Sequence, residues 1–200
     1  MVNIDLLALL AAPFILITSL ALLISRNWRR SVLALAAQYV SVFVLTLLSW
    51  PLGMAATKLA AGWMAGAVLG VAMFGAPQAW RLEERFWPAG RVFRLLAAAM
   101  VGLVMLNLAP SLHSWLPGVH DQQLWGGVLL IGMGLLHLGL TAQPLRVALG
   151  LLTMLSGFEV LYAAVETSAL VAGLLAGVNL GLALAGAYLL TAPTMSGEGD

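Results

Sequence analysis

Residues 145–173 read LRVALGLLTMLSGFEVLYAAVETSALVAG, an apolar stretch that holds a carboxylate, Glu159, well inside it. Every side chain between Arg146 and Glu159 is uncharged. About 20 apolar residues of helix cross a bilayer core, so this stretch is long enough to place Glu159 within a membrane. A charge at the centre of a span costs roughly 2.5–3.5 kcal/mol. The stretch therefore predicts a membrane helix in which Glu159 is either a functional carboxyl or a neutral group bonded across a helix interface.

The whole chain has the composition of a membrane protein. Of its 200 residues 62% are hydrophobic and only 8% are charged, and the mean hydropathy is +1.01, whereas a soluble domain carries roughly 25% charged residues. The absence of cysteine excludes a disulfide framework and thiol chemistry. The long apolar runs lack the in–out alternation of a transmembrane β-barrel. The sequence therefore predicts an all-α integral membrane protein.

Polar and proline-containing breaks divide the chain into seven predicted spans. They lie near residues 5–25, 31–49, 53–75, 94–112, 124–141, 145–165 and 168–191. No basic segment precedes the first span, so we interpret it as a helix that stays in the membrane rather than a signal peptide. Residues 1–200 are then a single membrane domain.

The arginines predict how these spans are oriented. All of them lie in alternate loops, the first, the third and the fifth, and positive residues favour the cytoplasmic side. They are Arg26, Arg29, Arg30, Arg81, Arg85, Arg91, Arg94 and Arg146. We therefore expect the N-terminus outside and the C-terminus in the cytoplasm.

The first three and last three spans share one layout, with a tight Arg-bearing inner loop followed by a tight outer loop. This predicts a 3+1+3 arrangement with a module at 1–75, a linking helix at 94–112 and a second module at 124–191. The third helix of each module carries a ladder of glycines, which lets another backbone approach closely. The ladders are Gly62, Gly66, Gly70 and Gly173, Gly177, Gly181. Chance matches are common among 21 glycines, so an ancient duplication stays open.

Few other side chains within the spans are ionisable or carry an amide. Because burial disfavours a charged carboxyl, Glu159 is expected to exchange protons near neutral pH, as a relay group must. Lys58 either extends to the outer interface along its flexible stem or neutralises a carboxylate. His137 and Asn179 are either interhelical hydrogen-bond partners or transport groups. Glu166 is either a helix-end residue or cap, or a link in a proton path.

Several classes of site have no support in the sequence. No group of His, Asp and Glu has metal-ligand spacing, and no phosphate-binding loop is present. The arginine-rich loops are explained by membrane orientation. We therefore expect no metal, no cofactor, no catalytic residue and no nucleic-acid partner.

The stretch around Glu159 resembles the second helix of the K subunit of bacterial complex I. In that family a basic residue in a tight cytoplasmic loop precedes an Ile/Leu-Gly-Leu-Glu-like motif, whose counterpart here is SGFE, ending in Glu159. The sequence AGVNLGLAL at 176–184 resembles the family's third helix. Gly177 stands where the family has a second membrane glutamate, so half of its glutamate pair is absent.

The whole length resembles component E of hydrogenase-4-type complexes, which has extra N-terminal spans before a K-subunit-like portion. The sequence ITSLALLISRNWRRSVLALAAQYVSV at 17–42 is similar to its opening helices. The sequence ATKLAAGW at 56–63 is similar to its third span, including the pair Thr57 and Lys58.

The resemblance implies an integral subunit of a complex-I-like, membrane-bound hydrogenase or multisubunit antiporter-like assembly in a prokaryotic cytoplasmic (inner) membrane. Antiporter-like and other membrane subunits would be its partners. Glu159 would be a mid-membrane proton station and Lys58 a second one, with His137, Asn179 and Glu166 as links. The chain would contribute to redox-coupled proton or cation translocation without being an enzyme by itself. Two alternatives stay open: a free-standing small-solute transporter with parallel 3+1+3 repeats, and a structural adaptor.

Overall fold

A computed structural model describes residues 4–76, 90–116 and 118–195. Within these ranges the chain forms seven α-helices and no β-strand, which confirms the prediction of an all-α fold. The helices are α1 (Ile4–Ile24), α2 (Trp28–Thr46), α3 (Leu52–Gly75), α4 (Arg91–His113), α5 (Asp121–Gly139), α6 (Pro144–Ala163) and α7 (Ala169–Met195). Arg81 and Arg85, used to predict the orientation of the spans, lie outside the described residues.

Five of these helices, α1, α3, α4, α6 and α7, are long and apolar enough to cross a membrane. The other two, α2 and α5, are 19 residues long and are not among those five. Arg29 and Arg30 lie in the first turn of α2, which also carries Gln38, and α5 begins with Asp121. By length and composition these apolar helices are compatible with a multi-pass membrane protein.

Short turns connect most neighbouring helices, which therefore run antiparallel. Asn27 caps the start of α2, where its side-chain oxygen accepts a hydrogen bond from the backbone N–H of Arg29 at 3.0 Å. Pro51 precedes α3, and Pro144 lies in the first turn of α6, where a missing N–H removes no helical bond. These polar and proline residues belong to the breaks from which the spans are predicted.

The helices form two layers of three. Helix α2 packs between α1 and α3 in one layer, and α6 packs between α5 and α7 in the other. Across the layers α1 contacts α5, α2 contacts α6 and α3 contacts α7, while α4 lies at the edge against α5 and α1. Each helix of the first layer thus faces its counterpart in the second. A two-fold axis that ran between the layers, parallel to the helices, would instead set α1 against α7.

Apolar side chains fill the space between the layers and also cover the outside of the bundle. Leu35, Leu69 and Leu149 are almost fully buried in the core. On the outside, Val71 and Leu170 keep 70% and 77% of their surface exposed. Helices that are apolar on all sides suit a lipid environment.

Glycines set the closest helix contact, which joins α5 and α6. Gly127 and Gly134 on α5 face Gly157 and Gly150 on α6, and on each helix the two glycines are seven positions apart. A Cβ added to Gly134 would lie 2.6 Å from the backbone nitrogen of Met154, and one added to Gly157 would lie 2.5 Å from the carbonyl oxygen of Gly127. The sequence analysis did not single out these positions.

The two predicted glycine ladders differ in whether another helix lies against them. Gly62 lies directly against the ring of Tyr39 on α2, and a Cβ on Gly66 or Gly70 would lie 3.8 or 3.9 Å from Val32 Cγ1. No atom of the described chain lies within 4 Å of a Cβ built on the second ladder, Gly173, Gly177 and Gly181. The close approach expected there is absent within the described chain, because α7 packs on α3 and α6 through its other side.

Candidate functional site

Glu159 and Lys58 form an ion pair inside the bundle. The Nζ atom of Lys58 on α3 pairs with Oε2 of Glu159 on α6. The two side chains are 3% and 0% exposed. Lys58 therefore does not extend to the outer end of α3, which was one of the two expectations for it. The partner of Glu159 comes from another helix, as the lack of basic neighbours on α6 requires.

Small residues on α3 make room for the lysine stem. Ala55, Ala61 and Ala65 lie on the same buried face as Lys58. Their short side chains leave space beside the stem and allow α2 and α7 to approach α3. The Lys58 ammonium is thereby directed into the bundle rather than toward the surface.

Asn179 on α7 binds the second oxygen of the same carboxylate. Its Nδ2 donates to Glu159 Oε1 at 2.7 Å and to the Leu175 carbonyl oxygen, one turn earlier, at 2.9 Å. The Asn179 side chain is fully buried. Both carboxylate oxygens of Glu159 therefore face a donor, as a buried carboxylate requires.

Tyr39 on α2 is the fourth side chain of this buried polar cluster, beside Lys58, Glu159 and Asn179. Its hydroxyl donates to Asn179 Oδ1 at 2.9 Å, and Lys58 Nζ lies 5.1 Å from the centroid of its ring, within cation–π range. Tyr39, Lys58, Glu159 and Asn179, hereafter the polar tetrad, come from four different helices. The sequence analysis missed Tyr39, although a tyrosine in the interior of a span needs a partner for its hydroxyl.

The polar tetrad lies toward one end of the bundle. Glu159 is about 6 Å of helical rise before the end of α6 at Ala163, and Lys58 is about 9 Å after the start of α3 at Leu52. These two helix ends lie beside the α6–α7 and α2–α3 turns. The carboxylate is thus beyond the middle of its helix, 13 residues or about 20 Å of helical rise after Arg146.

A second buried network, of hydrogen bonds, lies farther from the α6–α7 turn than the polar tetrad does. Gln38 Nε2 donates to Ser19 Oγ at 2.8 Å, and Thr153 Oγ1 donates to Gln38 Oε1 at 3.2 Å. Thr153 is about 9 Å of helical rise from Glu159 on α6. Between the polar tetrad and this network, the hydroxyl of Ser156 lies next to that of Tyr39. Polar groups therefore continue from the tetrad along α6 toward the other end of the bundle.

His137 is buried but lies far from the polar tetrad. It is 4% exposed, and its Nε2 has no hydrogen-bond partner among the described residues. Because Gly127 faces Gly157 and Gly134 faces Gly150, the antiparallel register sets His137 beside position 147. That position is about 18 Å of helical rise from Glu159. The structure therefore does not bring His137 to the ion pair.

Two arginines close the end of the bundle near His137. Arg146 Nη2 donates to the Ser25 carbonyl oxygen at 2.6 Å, and Arg94 Nη1 donates to the Leu23 carbonyl oxygen at 3.1 Å. Both carbonyls belong to the C-terminal end of α1, which lacks intrahelical partners. The two guanidinium groups thus cap α1 in the way that basic side chains cap helix ends.

Glu166 occupies the turn between α6 and α7. Its Oε1 accepts a hydrogen bond from the backbone N–H of Ser168 at 2.8 Å, just before α7 begins. Its carbonyl oxygen accepts one from Trp50 Nε1, also at 2.8 Å. Glu166 therefore acts as a cap for α7 and contacts none of the polar tetrad through these bonds.

The tetrad has the chemistry of a proton-exchange site. A proton on Lys58 faces an acceptor on Glu159, and moving it leaves two neutral groups in place of two charges. Among the described residues no three His, Asp or Glu side chains lie close enough to hold a metal ion.

No family model matches the sequence, and neither the curated proteins nor the solved structures show a match. The resemblance to the complex I K subunit and to hydrogenase-4 component E therefore rests on the sequence at 17–42, 56–63, 145–173 and 176–184.

Proposed function

We propose that this chain is an integral membrane subunit of a complex-I-like, hydrogenase-like or multisubunit antiporter-like assembly, in which it contributes to redox-coupled proton translocation. The observation that carries the proposal is the buried ion pair between Lys58 and Glu159. Ionisable residues inside membrane helices are costly and characteristic of proton and ion pathways. A hydrophobic pair would fill the same space at a lower cost of desolvation.

In this proposal all seven helices span the membrane in a 3+1+3 arrangement, with the N-terminus outside and the C-terminus in the cytoplasm. The arginines at the ends of α1, α4 and α6 support that orientation, because they gather at the end of the bundle opposite the polar tetrad. Lys58 and Glu159 then lie in the outer half of the membrane. The membrane is the cytoplasmic membrane of a prokaryote, as for the assemblies that the sequence resembles.

The mechanism uses the tetrad as a proton station. With one proton on Lys58 and none on Glu159 the pair is an ion pair, and a second proton converts Glu159 to a neutral acid. Ser156, Thr153 and Gln38 extend the polar path inward from the tetrad. His137, at the inner end, is the next ionisable group along that path. Antiporter-like and other membrane subunits supply the remaining proton stations.

A structural adaptor is the second candidate, and one observation favours it. Every member of the polar tetrad is bonded to another member, so the set also fixes how α2, α3, α6 and α7 pack. Buried polar groups of this kind can specify a unique packing without any role in transport. A free-standing transporter built from parallel repeats has an axis along the membrane normal, and the face-to-face pairing of counterpart helices gives that alternative no support.

The test is redox-driven proton uptake into inverted membrane vesicles that contain the assembly. Glu159→Gln is expected to abolish or strongly reduce the initial rate of uptake, while native gel electrophoresis shows an intact assembly. The matched control is Glu166→Gln, because Glu166 is the other carboxylate near the outer end of α6 and lies outside the polar tetrad. Full uptake in the Glu159→Gln assembly would reject the transport role and favour the adaptor.

A further inference from the structure

The backbone of α7 fixes the orientation of the Asn179 amide. Nδ2 lies 2.9 Å from the carbonyl oxygen of Leu175. A backbone carbonyl only accepts hydrogen bonds, so the amide nitrogen and not the amide oxygen must lie on that side. The orientation is therefore independent of the protonation state of any neighbouring side chain.

The other neighbours of Asn179 agree with this orientation. The same Nδ2 reaches Glu159 Oε1 at 2.7 Å, and Oδ1 accepts the hydroxyl proton of Tyr39 at 2.9 Å. A turned amide would set its oxygen against both Glu159 and Leu175, leaving two acceptors without a donor in a buried site. Such unsatisfied buried groups are strongly disfavoured.

The two oxygens of Glu159 thus have different partners. Oε1 accepts from Asn179, which always presents N–H, while Oε2 faces Lys58 Nζ. The other ionisable groups described at this site are Lys58 from α3 and Tyr39 from α2, and the Tyr39 hydroxyl is directed to Asn179. Of the two carboxylate oxygens, only Oε2 faces an ionisable group that can give up a proton.

We propose that Asn179 is a positioning residue that confines the proton of Glu159 to Oε2, so that Glu159 exchanges its proton through Lys58. This inference deepens the proposed function and rests on it for its role in transport. In the exchange, an N–H bond of the Lys58 ammonium breaks, its electron pair stays on Nζ, and an O–H bond forms at Oε2. The net charge of the pair does not change, and Oε1 keeps its bond to Asn179 throughout.

Infrared spectroscopy of the purified chain in lipid vesicles tests the inference. In Lys58→Met the carboxyl of Glu159 has no counter-charge and is expected to carry a proton, so its C=O stretch is visible. The band is assigned by its loss in Lys58→Met/Glu159→Gln. If Oε1 is the carbonyl oxygen, Lys58→Met/Asn179→Leu shifts the band to higher wavenumber, because the donor to that oxygen is lost. Lys58→Met/Asn107→Leu is the matched control and leaves the band in place, since Asn107 lies exposed on α4.

An unshifted band in Lys58→Met/Asn179→Leu overturns the inference, and so does a Lys58→Met spectrum without any Glu159 carboxyl band. A measurement on the unaltered chain covers the case in which the Asn179 variant does not fold. With ¹⁵N-asparagine and ¹³C-carboxyl glutamate, solid-state NMR is expected to show a through-space coupling between Asn179 Nδ2 and the Glu159 carboxyl carbon across the whole titration. Loss of that coupling at any pH would overturn the inference.

Neither readout measures transport. A shifted infrared band together with full proton uptake in Glu159→Gln would leave the position of the proton established and reject the transport role. An unshifted band together with lost uptake would reject the position of the proton on Oε2 and support the transport role of Glu159.

Discussion

Lys58 of α3 and Glu159 of α6 join the two layers of the bundle through one buried ion pair. The same carboxylate is bonded to Asn179 of α7, and Asn179 is bonded to Tyr39 of α2. A buried pair broken on one side leaves an uncompensated charge, whereas a pair replaced on both sides is often neutral in stability. This asymmetry makes the contribution of the pair measurable.

Lys58→Met is expected to destabilise the bundle more than Lys58→Met/Glu159→Gln. The single change removes the counter-charge of a buried carboxyl, so Glu159 must take up a proton in the folded chain, and breaking one side of a buried pair costs about 3–5 kcal/mol. The double change leaves two neutral side chains. The Tm of the purified chains in detergent micelles compares the two. Thr57→Met, at the exposed neighbouring position, is the control. Equal Tm values for the single and double variants would show that the carboxyl left without its counter-charge does not destabilise the bundle.

The positions of the helices could be predicted from sequence because bilayer thickness and breaking residues fix where a span starts and stops. Helix α6 runs from Pro144 to Ala163 against a predicted 145–165, and α7 starts at Ala169 against a predicted 168. The chemistry of Lys58 and Glu159 was also visible, since each charge stands out in an apolar run. That the carboxylate paired with Lys58 is Glu159 was not visible, because the pairing depends on how helices from separate layers are placed.

Tyr39 and the glycines of the α5–α6 contact have partners that the sequence could not reveal. A tyrosine adds to the apolar character of a span, and only its burial beside Asn179 shows that the hydroxyl has a role. Likewise, Gly134 is one of 21 glycines. Its contact with the backbone of Met154 becomes evident only when the register of α5 on α6 is known.

Gly134→Leu is expected to disrupt the packing of α5 on α6. A Cβ at this position lies 2.6 Å from the Met154 backbone nitrogen, and backbone cannot move aside unless the helices separate. Overpacking of this kind costs typically about 1–3 kcal/mol and sometimes more. The measurements are the Tm and the elution profile of the detergent-solubilised chain. Gly177→Leu is the matched control on α7, where a new side chain meets open space. A Gly134→Leu chain as stable as the control would contradict the described register.

Tyr39→Phe is expected to lower the free energy of unfolding by about 1–3 kcal/mol, because it leaves the buried Oδ1 of Asn179 without a donor. The ring itself is kept, so the contact with Gly62 stays. Thermal unfolding in micelles measures the loss. Tyr188→Phe serves as control, since Tyr188 is 62% exposed on α7. If both variants unfold at the temperature of the unaltered chain, the Tyr39 hydroxyl bond contributes nothing.

His137→Leu is expected to slow proton uptake by the assembly without changing the ion pair. His137 lies about 18 Å of helical rise from Glu159, so the polar tetrad keeps its contacts, whereas the inward path loses its ionisable group. Redox-driven uptake into inverted vesicles measures the rate, and the infrared band of Glu159 in the Lys58→Met background reports on the tetrad. His120→Leu, an exposed change just before α5, is the control. Full uptake in His137→Leu would exclude His137 from the path.

The orientation of the helices can be tested by single-cysteine labelling, because the unaltered chain has no cysteine. His120→Cys and Thr167→Cys lie in turns at the end nearer the polar tetrad, and we expect a membrane-impermeant maleimide to label both in intact cells. Arg26→Cys and Thr141→Cys lie in turns at the arginine-bearing end, and they should react only after the cells are opened.

Ser156→Cys is the internal control for that experiment. Ser156 is buried beside Tyr39, so a thiol there should resist the reagent from both sides until the chain is denatured. The reverse pattern, with Arg26→Cys and Thr141→Cys labelled in intact cells, would place the arginines outside and Glu159 in the inner half of the membrane. Labelling of both pairs in intact cells would show that these helices do not span the membrane.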